Sequence, residues 1–207
     1  MIASKKQPKE VTTNIPGLRL IEDCIPDILH DQFVKQMHKG KPEKNKGHYD
    51  GYDFDDGEAF DEAFYPLIDY IFTSLKEFKI LPSEKTTKLA CTLIGYEKDG
   101  FIVRHIDSAM LSGGTVIVVS FNSPVVVNFY SEKKEKPENH KFFIPPKSLY
   151  VISGEARYDW SHAILSDEST YDSKPFLRDR RYAIVLTPPG PHYSGSELLD
   201  YNQIYNK

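Results

Sequence analysis

GTVIVVSFNSPVVVNFY, running from Gly114 to Tyr130, is a stretch dominated by β-branched and aromatic residues and interrupted at Asn122-Ser123-Pro124. Such residues suit a pleated surface, and the interruption is a turn signal. The stretch therefore reads as two strands, 114–121 and 125–130. Outward from it the pattern repeats. LACTLIGY (89–96) and FIVRH (101–105) flank a turn at Lys98-Asp99-Gly100, and KFFIP (141–145), KSLYVIS (147–153) and RRYAIVLT (180–187) follow. Charged or polar loops at 131–140 and 165–179 separate these runs.

Before residue 88 the spacing changes. IPGLRLIEDCIP (15–26) reads as a short strand closed by Pro26. DILHDQFVKQMHK (27–39) places Ile28, Leu29, Phe33 and Met37 at helical intervals. A second helix follows Pro66, with Leu67, Ile68, Ile71, Phe72, Leu75 and Phe78 on one apolar face. Helices first and about seven short strands afterwards predict an α+β, β-dominated domain built as a sandwich or barrel. The expected organisation is a disordered tail over 1–14, one domain over 15–190 and a C-terminal tail over 191–207. Residues 39–65 form an irregular charged segment inside the domain, lysine-rich at first and then acidic, with seven acids and no base from Asp50 to Glu62.

At 207 residues the chain can bury a full core, and a net charge of −4 supplies no general attraction for nucleic acid. Cys24 and Cys91 lack metal or redox spacing and read as small apolar packers in a reducing compartment. No apolar run reaches 18 residues, and the first residues lack a hydrophobic signal core. The expectation is a soluble cytoplasmic or nuclear monomer with no membrane partner.

Arg104-His105-Ile106-Asp107-Ser108 lies between two apolar segments. On a strand of period two, His105 and Asp107 share a face and can reach one ion. Two imidazoles and one carboxylate on one side of an octahedron leave three positions open, which suits a non-haem Fe(II) oxygenase. A closed zinc site wants four protein ligands, which two isolated cysteines do not complete. The second histidine must come from a distant strand that returns beside the first, and His162 is the good candidate. His30, His38, His48, His140 and His192 lie on a surface helix or in polar loops and carry no such expectation.

The ordered motifs around these residues resemble the AlkB-like 2-oxoglutarate- and Fe(II)-dependent dioxygenases. Tyr96-Glu-Lys-Asp-Gly-Phe-Ile-Val-Arg-His105-Ile-Asp107 is similar to the entry strand of that family, with Gly100 about one place late. Ser148-Leu-Tyr-Val-Ile-Ser-Gly154-Glu-Ala-Arg157-Tyr-Asp-Trp160-Ser-His162 resembles its second-histidine stretch, and the strand from Arg180 its final arginine strand. Ile15-Pro-Gly-Leu and His48-Tyr-Asp-Gly-Tyr52 resemble upstream landmarks, so the likeness covers roughly 15–190. It implies a double-stranded β-helix, or jelly roll, with the N-terminal helices packed on one sheet. It further implies Fe(II) on His105, Asp107 and His162, and 2-oxoglutarate held by Arg181 with help from the Tyr96 hydroxyl. Guanidinium suits that task, being permanently charged and able to grip a carboxylate with two donors. Arg180 would point to the opposite face of its strand.

The chain departs from the family pattern at three places. Thr187 stands where a second arginine follows the first by six residues, and Ile94 stands where an asparagine precedes the tyrosine. In the family these two act around the iron-proximal carboxylate of the cosubstrate. Ala109 stands where some nucleobase demethylases carry an acid. The resemblance favours N-methylated nucleic acid as substrate, demethylated or hydroxylated with dioxygen. Segment 39–65 would then serve as a lid, Tyr49 and Tyr52 stacking on a base and Lys39, Lys41, Lys44 and Lys46 meeting phosphates. Arg157 either braces the site or approaches substrate, and Trp160 fills the core or a pocket wall. The alternatives are a protein side-chain hydroxylase or demethylase, and a jelly-roll binding module of low turnover.

Overall fold

The turns at 97–101, 122–124 and 145–147 do not close hairpins; each carries the chain from one sheet to another. The computed structural model describes residues 7–38, 43–44, 52–53, 62–81, 88–133, 137–193 and 198–200. In chain order, β1 (Lys9–Val11) and β2 (Leu18–Glu22) lead into α1 (Asp27–Met37). Next come β3 (Glu43–Lys44), β4 (Tyr52–Asp53), a 3-10 turn at Glu62–Phe64 and α2 (Tyr65–Glu77). The β-rich half holds β5 (Lys88–Tyr96), β6 (Ile102–His105), β7 (Thr115–Phe121), β8 (Val125–Ser131), β9 (Asn139–Ile144) and β10 (Ser148–Ser153). It closes with α3 (Gly154–Tyr158), β11 (Trp160–Ile164), β12 (Thr170–Tyr171), β13 (Lys174–Pro175), β14 (Arg181–Thr187) and β15 (Leu199–Asp200).

The larger sheet runs β1-β2-β10-β7-β14-β5-β4-β3, and the smaller runs β6-β11-β8-β9. Val116, Val118, Tyr150 and Ile152 of the larger sheet meet Val127, Phe129, Phe142 and Ile164 of the smaller in one apolar core. The opposite face of the larger sheet, with Ile117, Val119, Phe121 and Ile184, packs under α1 and α2 through Phe33, Met37, Ile68, Ile71, Phe72 and Leu75. The result is a jelly roll with the helices on one sheet. A strand covered on both faces reads as a continuous apolar run, which is why all seven residues of β7 are buried. Two of the corners use left-handed residues, Asn122 (φ 68°) and Lys147 (φ 65°). The Asn122 side chain donates to the Arg180 carbonyl, and the Lys147 amide donates to the Ser120 carbonyl, so both corners are tied to the larger sheet.

Several expectations need revision. Residues 9–11, assigned to a disordered tail, pair with β2 from Lys9↔Glu22 to Val11↔Leu20. Residues 199–200, assigned to the other tail, pair with β5. Ile28, expected on the buried side of α1, is 67% exposed, and the helix seats itself through Phe33 and Met37. The short helix α3, between β10 and β11, has no periodic signal in its five residues.

Candidate metal centre and its pocket

β6 and β11 are antiparallel neighbours, and their register sets His105 directly opposite His162. The next pair is Ile102 with Ile164, so three steps on β6 match two on β11. That bulge inserts one residue, bends β6, and turns both Ile102 and His105 inward to the same cavity. It also presents the Val103 carbonyl to His105, whose Nδ1 donates to it at 2.8 Å. The tautomer is thereby set, leaving Nε2 for the site. β6 ends at His105, so Asp107 reaches the cluster from the loop beyond rather than from the strand itself. His105 Nε2 lies 3.4 Å from Asp107 Oδ1, and His162 Nε2 lies 4.0 Å from Asp107 Oδ2. One ligand atom from each residue falls within 4.8 Å of the others, so the three can hold a metal ion.

Their electrostatics separate the two histidines. Burial, only partly offset by the Asp107 charge, pushes His162 down to about 4 and keeps its imidazole neutral. Burial also opposes charge on His105, but hydrogen bonds to Asp107 and to the Val103 carbonyl outweigh it, and its pKa lies above the usual value. For Asp107 burial works upward; the His105 hydrogen bond and the charges of His162, His105 and Arg157 prevail and hold the carboxyl below its ordinary range.

The cluster forms one polar end of a cavity of about 100 Å³ between the sheets. Ile94, Val116, Val118, Val127, Ile152, Ala183 and Val185 are among its aliphatic walls. Arg181 and Tyr96, paired across β14 and β5, form the other polar region together with Tyr150. Arg181 is 4% exposed; its Nε donates to Ser120 Oγ at 3.0 Å and its guanidinium lies 5.3 Å from the centre of the Tyr96 ring. Its Nη2 is buried without a hydrogen-bond partner of good geometry among the described residues. A buried guanidinium nitrogen left so is expensive, and a ligand carboxylate is the group that matches it. Arg180 points away and pairs with Glu97 at 2.8 Å. Ile94 lines the cavity, whereas Thr187 is buried at the far end of β14, opposite Ala90. Tyr150 had no sequence signal beyond its place in a strand; only the sheet-to-sheet packing brings it here.

The remaining site candidates fall into different places. Arg157 is 1% exposed and does not face solvent. Its Nη1 donates to the Asp107 carbonyl at 2.6 Å, Nη2 to Ser112 at 3.2 Å and Nε to Gly113 at 3.3 Å. Every guanidinium nitrogen is engaged by backbone oxygen, which is the bracing arrangement of the two expected. Trp160 is buried in the inter-sheet core and donates to Glu155. Tyr49, Lys39, Lys41 and Lys46 lie outside the described residues, as does most of 39–65. The backbone of Tyr52 pairs with Gly95 in β5, between the cavity-lining residues Ile94 and Tyr96. Pro188 to His192, which straddle the expected start of the C-terminal tail at 191, back the ligand loop: Gly113 donates to Pro188, Gly190 to Leu111, and His192 to Met110. Large apolar side chains are exposed around this end of the fold, at Phe101, Val103, Ile106, Met110, Leu111 and Leu165.

No family model matches the chain. The chain is 35% identical over 94 residues to the mitochondrial alpha-ketoglutarate-dependent dioxygenase AlkB homolog 7 of Bos taurus, covering 45% of this chain and 42% of that protein. It thus spans less than half the length of that curated relative. An uncharacterized protein of Acanthamoeba polyphaga mimivirus is 25% identical over 194 residues, covering 88% of this chain and 90% of its own. Among solved structures, a Pseudomonas putida prolyl-4-hydroxylase has a TM-score of 0.52 at 14% identity, over 84% of this chain and 92% of that one. OsALKBH1 has a TM-score of 0.52 at 12% identity, over 86% and 100%. Both carry the same fold. No helix among the described residues is long and apolar enough to cross a membrane.

Proposed function

We propose that this chain, similar over part of its length to AlkB homologues, is a 2-oxoglutarate- and Fe(II)-dependent dioxygenase acting on a substrate C–H bond. The observation that carries this reading is the two-ended pocket. A His-His-Asp set stands at one end, a buried guanidinium with an unmatched donor at the other, and aliphatic walls lie between. That is the outline of a small dicarboxylate that also chelates a metal.

In this reading His105, Asp107 and His162 hold Fe(II) on one side and leave the other for cosubstrate and dioxygen. Iron bound there supplies the redox chemistry that couples oxidative decarboxylation of 2-oxoglutarate to succinate with oxygen insertion into the substrate. The neutral imidazole of His162 offers its lone pair without first losing a proton. Arg181, supported by Ser120 and Tyr96, grips the far carboxylate in a site whose aliphatic walls exclude water and so strengthen the charge pairing. With Ile94 in place of the amide and Thr187 in place of the cation, the near carboxylate depends on the metal.

N-methylated nucleic acid is the substrate class that the resemblance favours, and Tyr49 and Tyr52 of segment 39–65 are the residue types that would stack on an unpaired base. The exposed apolar side chains beside Asp107 favour a second reading, hydroxylation or demethylation of a protein side chain. Either is proposed for a monomer inside the cell; a cytoplasmic or nuclear place follows from the sequence reading and a mitochondrial one from the relatives' names. The test is incubation of purified protein with Fe(II), 2-oxoglutarate and air. Succinate above a His105→Ala control is expected. Its absence with every candidate substrate overturns the enzyme reading and leaves a binding module. Formaldehyde release from a methylated oligonucleotide, compared with a methylated peptide, separates the two substrate classes.

A further inference from the structure

We propose that Arg157 is a positioning residue for the metal, acting by fixing the backbone that carries Asp107; this rests on the iron-site reading above. Two of the three ligands sit on paired strands, where the sheet ladder sets their place. Asp107 does not. It lies beyond the end of β6, at the start of the connection to β7, and needs some other restraint.

Arg157 supplies one from below. Its three nitrogens reach the carbonyls of Asp107, Ser112 and Gly113, the two ends of a single loop. The planar fork of a guanidinium can satisfy three oxygens in one fixed geometry; a lysine ammonium is a point donor on a flexible stem. Residues 188–192 hold the same loop from the other side through Met110, Leu111 and Gly113. The short helix α3 that carries Arg157 runs directly into β11, which carries His162. One segment thus governs a strand-borne ligand and the loop-borne one.

Electrostatics make the idea testable. A fixed positive charge beside the cluster opposes a second cation, so the charge of Arg157 alone disfavours metal binding. Any affinity that Arg157 contributes must therefore come from geometry. Removing a group that orients a metal ligand costs about 10–100-fold in metal affinity. Arg157→Lys keeps the charge and loses the fork; Arg157→Gln loses both.

The experiment is titration of metal-free protein with Co(II), following the visible ligand-field spectrum, with circular dichroism to verify folding. Wild type should take up one Co(II) per chain and His105→Ala should not. Both Arg157 variants should bind about 10–100-fold more weakly, with an altered spectrum, and Lys should not rescue. Should either variant fail to fold, Gly190→Ala serves instead. A Cβ there would stand 2.4 Å from the Met110 carbonyl and press on the same loop, and it should shift the spectrum likewise. Wild-type affinity and spectrum in the folded variants, or tighter binding by Arg157→Gln, overturns the proposal while the iron reading stands. A wild type that takes up no Co(II) defeats the iron reading, and this one with it.

Discussion

His105 and His162 face each other across one strand pair, yet their surroundings drive them apart in proton affinity. In the metal-free protein His162 should titrate near pH 4 and His105 above the ordinary 6.5, as resolved by imidazole NMR signals assigned through single His→Asn variants. Because the folded value of His162 lies below its unfolded one, its contribution to stability is complete above pH 6.5 and is lost as pH falls toward 4. His105 works in the opposite sense, favouring the fold at lower pH and losing that as pH rises through its folded value. At the other end of the pocket, Arg181→Lys should weaken 2-oxoglutarate binding by about 10–100-fold, the worth of a charge-assisted hydrogen bond, and leave Co(II) binding intact. A fully retained affinity in calorimetry would remove Arg181 from the site. The three metal-ligand types were legible in the sequence because few residues bind an ion, whereas Arg181 stood out only through the family resemblance. For Arg157 the choice between bracing and substrate contact stayed open, and Tyr150 carried no signal, since both roles depend on which backbone or strand folding brings beside them.

At the level of strands and turns, periodicity located most of the larger strands but not their sheets. The turn signals at 98–100 and 122–124 look like hairpin turns and are corners; nothing local distinguishes a strand that folds back from one that crosses to a facing sheet. The bulge in β6 was equally hidden, since an inserted residue leaves no mark in an apolar run. Glycine was more informative than its frequency suggests. Gly17 sits at φ +87° with the place of its missing Cβ 2.0 Å from the Ser153 carbonyl, where β2 meets the start of α3. Gly17→Ala should cost on the order of 3 kcal/mol in urea unfolding, through clash and a left-handed backbone together. A loss below about 0.5 kcal/mol would show that this junction yields.

Taken whole, the molecule is a helical layer on one face of a large sheet and a small sheet on the other, so its cysteines sit deep. Burial pushes the Cys24 thiol up to about 12. Thiolate is the reactive form, so neither Cys24 nor the buried Cys91 should react with a disulfide reagent in the native state at pH 8. Both should be labelled at the rate of global unfolding, as stopped labelling at increasing urea would reveal; rapid labelling without denaturant would contradict the packing. The sign of the pH effect follows. The folded value of Cys24 is above the unfolded 9.0, so its contribution is full below pH 9 and is lost as pH climbs toward 12.

The cavity between the sheets has a consequence for which acids it accepts. Arg181 is fixed on β14 and His105 and His162 on β6 and β11 by strand pairing, and Asp107 by the loop that Arg157 braces. Two anchors on rigid sheets make a gauge of chain length. On the proposal that a five-carbon 2-oxo diacid bridges both, a four-carbon one would fall short and a six-carbon one would have to fold to fit. Oxaloacetate and 2-oxoadipate should therefore each compete for the pocket at least about tenfold less well than 2-oxoglutarate. Equal competition by all three would mean that the two sheets breathe apart.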